Sequence, residues 1–223
     1  MTGHNGAGIA ILMPAYNEAE TIATVVRSVR DIGTPLVVDD GSDDDTAALA
    51  EAAGAKVVIL PTNRGYEGAL EAGFERAVQL SMGFVVSYDA DGQFEVADLR
   101  AAVALLQQGQ ARLVLGQRAE AARFGEWLFN FYTKKRFGVP DILCGLKGYD
   151  LALYKEHAGF SGRSVGTRLA LAALRAGERA TMTPVTVLAR TSGPSRFGST
   201  LRANRRLLLA LADALWADFG QVR

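Results

Sequence analysis

Short apolar runs alternate with amphipathic segments along the first half of the chain. The runs at residues 9–13, 36–38, 56–60, 84–88 and 112–115 are continuous, as in strands buried on both faces. The segments between them, 18–29, 44–53, 68–80 and 96–107, have helical spacing. This alternation predicts an α/β fold whose mostly parallel sheet is flanked by helices.

The second half of the chain is less regular. Residues 141–149 have the pattern of a loop that enters a short strand, and 165–176 that of a helix. A strand is predicted at 183–188 and an amphipathic C-terminal helix at 201–219, whereas 118–137 mixes basic with aromatic residues and receives no assignment. We expect a single domain over residues 1–223.

A pair of carboxylates lies directly after a predicted buried strand. Asp89 and Asp91 are two residues apart, and Gln93 follows them. Carboxylates this close raise each other's pKa unless a cation lies between them. All-oxygen sets of this kind hold Mg²⁺ or Mn²⁺ together with substrate phosphates. The alternative is an Asp/Gly-rich turn that merely ends a strand.

Two further polar clusters follow the first and second predicted strands, where ligands bind in parallel sheets. Pro14 ends the first strand, and Asn17 can cap the next helix. Tyr16 can flank a flat base and Glu18 can accept from ribose hydroxyls, although simple capping beside a surface glutamate is the alternative. Asp39, at the tip of the second strand, can accept from a base or ribose donor.

Two other features concern local chemistry. Asp43 or Asp44 is expected to cap the helix after the second strand, where acids also suit the helix dipole. Arg190 and Arg196 lie six residues apart in a Gly/Pro-containing segment and can close over a diphosphate, unless the segment is only a solvated loop.

Composition narrows the functional classes. The 24 Lys and Arg residues balance the 24 Asp and Glu residues, so no net charge favours nucleic acid as a partner. A single cysteine, Cys144, excludes an intramolecular disulfide and fits a reducing compartment. The polar N-terminus does not have the pattern of a signal peptide, and no apolar run approaches the ~20 residues of a membrane span. We expect a cytoplasmic protein.

In their order along the chain, these motifs resemble an inverting family 2 glycosyltransferase of the GT-A fold, in the dolichyl-phosphate mannose synthase-like branch. The matching pieces are 14–18, 38–42, 63–65, 89–93, 116–118, 144–147 and 190–196. The resemblance implies a Rossmann-like sheet with a C-terminal amphipathic element. It divides the domain into a nucleotide-binding half (8–117), an acceptor half (118–200) and a C-terminal helix (201–223).

The resemblance also implies roles for individual residues. A nucleotide-diphosphate sugar would be bound by Pro14, Tyr16, Glu18, Asp39, Asp40, Arg64, Asp89, Arg190 and Arg196. Mg²⁺ or Mn²⁺ would be held by Asp89, Asp91 and Gln93. The catalytic set would be Asp89, Asp91, Asp141 and Arg118, and the acceptor would meet Lys147, Arg118 and Ser195.

The acceptor is suggested by a departure from the family pattern. Many members carry a carboxylate near the start of the late helix, but residues 161–169 contain two arginines and no acid. A hydroxyl acceptor needs a general base, whereas a phosphate oxygen is already ionised. We therefore expect a phosphate-bearing acceptor, most simply a polyprenyl phosphate used in cell-envelope glycan or glycolipid synthesis. Asp141 and Asp150 remain candidate bases.

Three other functions stay open at this point. The enzyme can instead act on a sugar hydroxyl of a saccharide or glycolipid. A sugar-nucleotide nucleotidyltransferase would carry a Gly-rich, Arg-containing loop after the first strand, which this chain lacks. A non-catalytic sugar-nucleotide-binding subunit would have no need of the Asp89/Asp91 pair.

Two segments suit contact with a membrane surface. Residues 124–137 place aromatic residues beside three consecutive bases, and arginines precede the apolar stretch 207–216. Aromatic rings can lie among lipid headgroups while bases meet anionic lipid. We expect peripheral contact at the inner face of the cytoplasmic membrane. Core packing or a contact between subunits is the alternative, and the oligomeric state stays open.

Overall fold

The structure, a computed structural model, describes residues 7–119, 124–157, 165–188 and 200–219. Its elements in chain order are β1 (Ile9–Ala15), α1 (Ile22–Val29), β2 (Thr34–Asp39), α2 (Thr46–Ala52), β3 (Lys56–Ile59), α3 (Gly65–Gln79), β4 (Phe84–Ser87), α4 (Val96–Gln107), β5 (Leu113–Gln117), α5 (Phe124–Phe137), β6 (Lys147–Asp150), α6 (Leu151–His157), α7 (Val165–Arg175), β7 (Ala180–Pro184) and α8 (Thr200–Phe219).

The strands form one sheet in the order β3-β2-β1-β4-β6-β5-β7. Its pairings are parallel except those of β6, which runs antiparallel to both β4 and β5. The mostly parallel, helix-flanked sheet predicted from the sequence is therefore confirmed. We call the edge at which β1, β2, β4 and β5 end the carboxyl edge. Because β6 is reversed, its first residue, Lys147, pairs with Ser87 and lies at this edge.

Apolar side chains cover both faces of the sheet. In β1, Ala10 and Leu12 belong to a core with Phe74 of α3, whereas Ile11 and Met13 belong to a second core on the opposite face. Both faces of the central strands are thus withdrawn from water, which explains their uninterrupted apolar runs. Burial of each such side chain contributes about 1.5–3 kcal/mol.

The start of α1 corrects one expectation. The helix begins at Ile22 rather than at residue 18. Thr21 is its N-cap residue, and the Thr21 side chain makes no capping hydrogen bond. Asn17 has φ 52°, and its Oδ1 accepts from the backbone N–H of Asp43 at 2.8 Å. The predicted capping by Asn17 is therefore wrong, because this side chain joins the loop after β1 to the loop after β2.

The second half of the chain differs most from the prediction. The strand expected at 183–188 is β7 at Ala180–Pro184, and the unassigned segment contains α5. Helix α6 was not expected. Strand β6 lies where the short strand was predicted, and α8 coincides with the predicted C-terminal helix. Strand β7 has no apolar signature because it pairs with β5 at the border of the described sheet, and one of its five residues is buried.

Helix α8 packs against α5. Within the described ranges, none of the helices is both long enough and apolar enough to cross a bilayer.

Candidate active site

The loops after β1 and β2 are joined by hydrogen bonds from backbone to side chain. The N–H of Asn17 donates to Ser42 Oγ at 2.8 Å, and that of Glu18 donates to Thr46 Oγ1 at 2.7 Å. The residue that precedes α2 is Asp45, and no side chain makes a capping hydrogen bond there, so the cap expected from Asp43 or Asp44 is not formed. Asp44 instead accepts from the N–H of Thr46, the first residue of α2, at 3.0 Å. These contacts fix the place of Glu18 at the carboxyl edge.

The two carboxylates at the end of β2 are both buried and are held differently. Asp39 accepts from the N–H of Ser42 at 3.2 Å and also from its hydroxyl. Asp40 accepts from the N–H of Arg64 at 2.7 Å and so holds the loop between β3 and α3. Burial raises the pKa of Asp40, while the N–H groups of Arg64 and Gly65 oppose that rise.

The loop after β4 brings the metal candidates to the carboxyl edge. Asp91 Oδ1 accepts from the N–H of Gln93 at 3.1 Å, in a turn where Gly92 has φ 70°. Asp89 faces Gly145: a Cβ on Gly145 would lie 2.8 Å from both Asp89 carboxylate oxygens. Glycine at this position therefore leaves room for the Asp89 carboxylate.

Gln93 also joins the loop after β4 to the end of the 180–188 segment. Its side-chain Nε2 donates to the Leu188 carbonyl at 3.2 Å, and the Leu188 N–H donates to the Gln93 carbonyl at 2.7 Å. The amide nitrogen of Gln93 therefore faces Leu188. The expected contributions of Arg190, Ser195 and Arg196 lie outside the described residues.

Asp89 and Asp91 carry the oxygen atoms at this edge that could hold a divalent cation. Across the described residues, no group of three or more His, Cys, Asp or Glu side chains can enclose a metal. Asp89 and Asp91 supply two carboxylates, and Mg²⁺ is commonly held by one or two carboxylates plus substrate phosphates. The residues thus fit a cation that binds together with a phosphorylated ligand.

An ion pair joins the residue that follows β5 to the segment between α5 and β6. The Arg118 guanidinium donates to both oxygens of Asp141, from Nε at 2.8 Å and from Nη2 at 3.0 Å. Nη2 also reaches Glu126 at 3.2 Å, and Asn130 donates to Asp141 at 3.2 Å. Arg118 therefore has carboxylate partners within the protein and does not stand as an isolated cation.

This pairing bears on the candidate bases. Burial tends to raise the pKa of Asp141, but the hydrogen bonds and charge of Arg118 outweigh it and hold that pKa below its ordinary value. An ionised carboxylate engaged in this way is a weak proton acceptor. Asp150, the other candidate, is the strand partner of Phe84 at the start of β4. It therefore lies at the opposite end of the strands from Asp89, too far away to act as the catalytic base.

Two charged residues next to Asp89 complete the site. Lys147 is only 5% exposed. Burial lowers its pKa, and the charges of Glu67, Asp141 and Asp89 are among those that oppose this effect. Glu67 was missed in the sequence because its helix, predicted from residue 68, begins at Gly65. The signal that could have identified Glu67 is its place as an acid in the first helical turn after a strand that ends at the carboxyl edge.

Comparisons with known proteins identify the family and the fold of the chain. The sequence profile of glycosyl transferase family 2 matches residues 10–158. The glycosyltransferase AglJ of Haloferax volcanii is 32% identical over 199 residues, which cover 83% of this chain and 64% of AglJ. An undecaprenyl-phosphate 4-deoxy-4-formamido-L-arabinose transferase of Pseudomonas savastanoi is 30% identical over 160 residues, which cover 63% of this chain and 47% of that protein. The chain thus spans less than two thirds of the length of either relative.

A solved structure shares the fold. Glucosyl-3-phosphoglycerate synthase from Mycobacterium tuberculosis, in complex with Mn²⁺, uridine diphosphate and glucosyl-3-phosphoglycerate, superposes with a TM-score of 0.72 at 23% identity. The match covers 93% of this chain and 81% of that one. The fold is that of GT-A glycosyltransferases, and the chain belongs to glycosyl transferase family 2.

Proposed function

We propose that this glycosyltransferase transfers a sugar, with inversion, from a nucleotide-diphosphate sugar to a phosphate-bearing acceptor, most simply a polyprenyl phosphate of cell-envelope glycan or glycolipid synthesis. The observation that carries the proposal is the Asp89/Asp91 pair at the carboxyl edge, with Gly145 leaving space beside it. The named ligands of the solved synthase include Mn²⁺ and uridine diphosphate, and one relative is named for undecaprenyl phosphate.

The donor is assigned to the loops after β1, β2 and β4. Tyr16, Glu18 and Asp39 lie there to receive the nucleoside. Asp89 and Asp91, with Gln93 beside them, would hold Mg²⁺ or Mn²⁺. When bound, such a cation neutralises the charge that builds on the leaving nucleoside diphosphate. The residues themselves hold the donor so that its sugar carbon faces the acceptor.

The acceptor is inferred from the state of the carboxylates. Asp141 is engaged by Arg118, and Asp150 lies at the far end of the sheet. A phosphate oxygen is already ionised at neutral pH, so it attacks without a base. Attack from the face opposite the leaving group inverts the anomeric centre. Arg190, Ser195 and Arg196 are proposed to meet the phosphates of donor and acceptor.

A peripheral membrane contact through α5 is part of this proposal. Phe124, Trp127 and Phe131 are 67%, 54% and 50% exposed and follow one another at helical spacing, so they do not pack in the core. Their rings stack at centroid distances of 5.8 and 5.9 Å. Lys134 and Lys135 follow them in the last turn of the helix. A helix that exposes aromatic rings and carries lysines in its last turn suits an anionic lipid surface.

Helix α8 adds a second exposed apolar face. Leu208, Leu209, Leu215 and Trp216 are exposed, whereas Leu211 and Ala214 face the core. Asp218 of α8 accepts from Tyr132 of α5 and pairs with Arg175 of α7, so the position of α8 beside α5 is fixed by polar contacts. A lipid acceptor would be collected at the surface that these helices touch.

Acceptor competition tests the reaction. Purified protein with Mn²⁺ is given UDP- and GDP-sugars, and a short polyprenyl phosphate competes with the matching polyprenol and with free saccharides. We expect transfer to the phosphate and loss of transfer with EDTA. The anomeric configuration of the product, from NMR coupling constants, should be opposite to that of the donor. Transfer only to hydroxyl groups would refute the phosphate acceptor, and retention of the anomeric configuration would refute the mechanism.

Vesicle flotation tests the membrane contact separately. We expect the protein to float with vesicles containing anionic lipid and to lose roughly tenfold in partitioning when Trp127→Ser and Phe131→Ser are combined. Ile59→Ser is the matched control, because Ile59 is a comparably exposed apolar residue on β3. Absence of flotation at every lipid composition would refute the contact. Stable dimers that dissociate in the double variant would assign the face to subunit association.

A further inference from the structure

Lys147 is a buried cation without a direct partner. Its side chain is buried at the carboxyl edge. In the ranges that the structure describes, the ammonium makes no hydrogen bond and no ion pair within 4.0 Å. A buried charge is costly unless it is paired and hydrogen-bonded. A ligand atom placed at the ammonium would complete its contacts.

Carboxylates surround this ammonium beyond contact distance. Glu67, Asp141 and Asp89 all act on Lys147 through their charges. Asp141 is committed to Arg118, and Asp89 belongs to the proposed cation site. Glu67 remains as the acid that the proposed reaction does not use. It comes from the first turn of α3, whereas Lys147 comes from β6.

Glu67 is linked to β6 through the start of α7. Its Oε2 accepts from the N–H of Gly166 at 3.1 Å, in the first turn of α7. The carbonyl of the same Gly166 accepts from the hydroxyl of Tyr149 at 2.7 Å, and Tyr149 follows Lys147 by two residues on the same face of β6. The start of α7 therefore fixes Glu67 relative to the strand that carries Lys147.

The chemistry of this space favours a hydroxyl group. A hydroxyl accepts from an ammonium and donates to a carboxylate, so it can satisfy both groups at once. A phosphate would satisfy Lys147 but would be repelled by Glu67 and Asp89. The diphosphate is assigned to Asp89 and Asp91, and the sugar is attached directly to it.

We propose that Lys147 and Glu67 form a subsite that binds hydroxyl groups of the transferred sugar and so contributes to the choice of donor. The inference rests on the proposed function. It moves Lys147 from the acceptor, to which the family resemblance assigned it, to the sugar of the donor.

Equilibrium binding separates the sugar from the diphosphate. A thermal-shift screen with Mn²⁺ and UDP-glucose, UDP-galactose, UDP-N-acetylglucosamine and GDP-mannose first selects the best donor for the wild type. Calorimetry then gives the Kd of that donor and of its nucleoside diphosphate for the wild type, Glu67→Gln, Lys147→Met and the control Glu75→Gln. Glu75 is exposed and lies two turns further along α3.

We expect Glu67→Gln and Lys147→Met to weaken binding of the sugar nucleotide roughly 10- to 100-fold, since each removes a charged hydrogen-bond partner. Binding of the nucleoside diphosphate should stay within about threefold, which also shows that the variants are folded. Glutamine can still accept from Gly166, and Glu75→Gln should match the wild type for both ligands.

Two results would overturn the inference. Equal weakening for sugar nucleotide and nucleoside diphosphate would assign the pair to the diphosphate, and unchanged affinity for both would remove it from the site. A wild type that binds none of the donors but carries intact secondary structure would instead refute the proposed function, and the inference with it.

Discussion

The loops that follow β1 to β4, the first region, and residues 118–188, the second region, are held by different kinds of contact. In the first region, side-chain oxygens receive backbone N–H groups, as Ser42 does from Asn17 and Asp40 from Arg64. In the second, charged side chains bind each other, as Arg118 binds Asp141. The first region is therefore held by many small contacts and the second by a few large ones.

This difference has energetic consequences. One neutral hydrogen bond, such as that from Asn17 to Ser42, contributes about 1 kcal/mol net, so loss of one such contact in the first region should be tolerated. Removal of one partner from a buried ion pair leaves an uncompensated charge and costs about 3–5 kcal/mol. The largest effect is therefore expected where the two regions meet and the smallest at a buried thiol that the proposed reaction does not use.

The largest effect is expected at Asp89, which belongs to the first region and faces Gly145 of the second. Asp89→Asn keeps the size of the side chain and removes its charge. We expect transfer to fall at least ~1,000-fold, because neutralisation of the leaving group by a metal is worth several kcal/mol. The measurement is kcat/KM over a Mn²⁺ titration, with circular dichroism to verify folding. Activity within tenfold of the wild type would refute the metal site.

Asp141→Asn tests the single large contact. We expect the free energy of unfolding at pH 7, from urea titration, to fall by about 2–4 kcal/mol, because the charged hydrogen bonds from Arg118 to Asp141 are weakened while Glu126 still pairs with Arg118. The control is Asp213→Asn: Asp213 pairs with Arg168 at 3.2 Å on the surface and should change stability by at most about 1 kcal/mol. Similar losses in the two variants would erase the contrast between buried and surface pairs.

The same pair predicts a pH dependence. The folded-state pKa of Asp141 is lowered, so its contribution is fully present above the ordinary Asp pKa of about 3.9. It is lost as the pH falls through the folded-state value. The difference between wild type and Asp141→Asn should therefore be constant from about pH 6 to 7 and shrink below about pH 4. A difference that is undiminished at pH 3 would mean that packing, rather than charge, is lost.

Ser42→Ala tests a small contact of the first region. The Ser42 hydroxyl accepts from the N–H of Asn17 at 2.8 Å and donates to Asp39. We expect unfolding free energy to fall by about 1–2 kcal/mol and donor affinity to weaken severalfold, since the loop loses two of its several hydrogen bonds. A loss comparable to that of Asp141→Asn would show that the first region also depends on single residues.

Sequence patterns predicted the first region better than the second for a physical reason. Strands of the parallel sheet are buried on both faces, so β1, β2 and β4 appear as continuous apolar runs, and the site loops follow directly. The order of motifs then led to the family. Strand β7 has no such signal because it lies at the border of the sheet, and α5 was obscured by a helical face of exposed aromatic residues.

Long-range pairing explains what else was missed. Nothing in sequence spacing joins Arg118 to Asp141, 23 residues apart, or Glu67 to Gly166, 99 residues apart. The reversed direction of β6 placed Lys147 at the site and Asp150 at the opposite end, a choice that depends on which strands pair. The roles of the individual site residues stay predictions until they are measured.

Cys144 gives the smallest expected effect and reports on the packing of the second region. Its side chain is buried, and burial raises the pKa of the thiol to about 11. Because the thiolate is the reactive form, labelling by a disulfide reagent at pH 7.5 should be at least ~100-fold slower in the folded protein than in denaturant. Cys144→Ala should keep transfer activity within about twofold, since the thiol contacts neither substrate nor cation in the proposed reaction.

The pH profile of this labelling distinguishes a packed segment from one that opens. If the thiol reacts in its buried state, the rate should keep rising about tenfold per pH unit beyond pH 9, because the folded-state pKa is about 11. A rate that levels near pH 8.5, the ordinary cysteine value, would mean that the segment around Cys144 opens before it reacts. The second region would then owe its order to the Arg118–Asp141 pair rather than to packing, and Asp141→Asn should accelerate labelling.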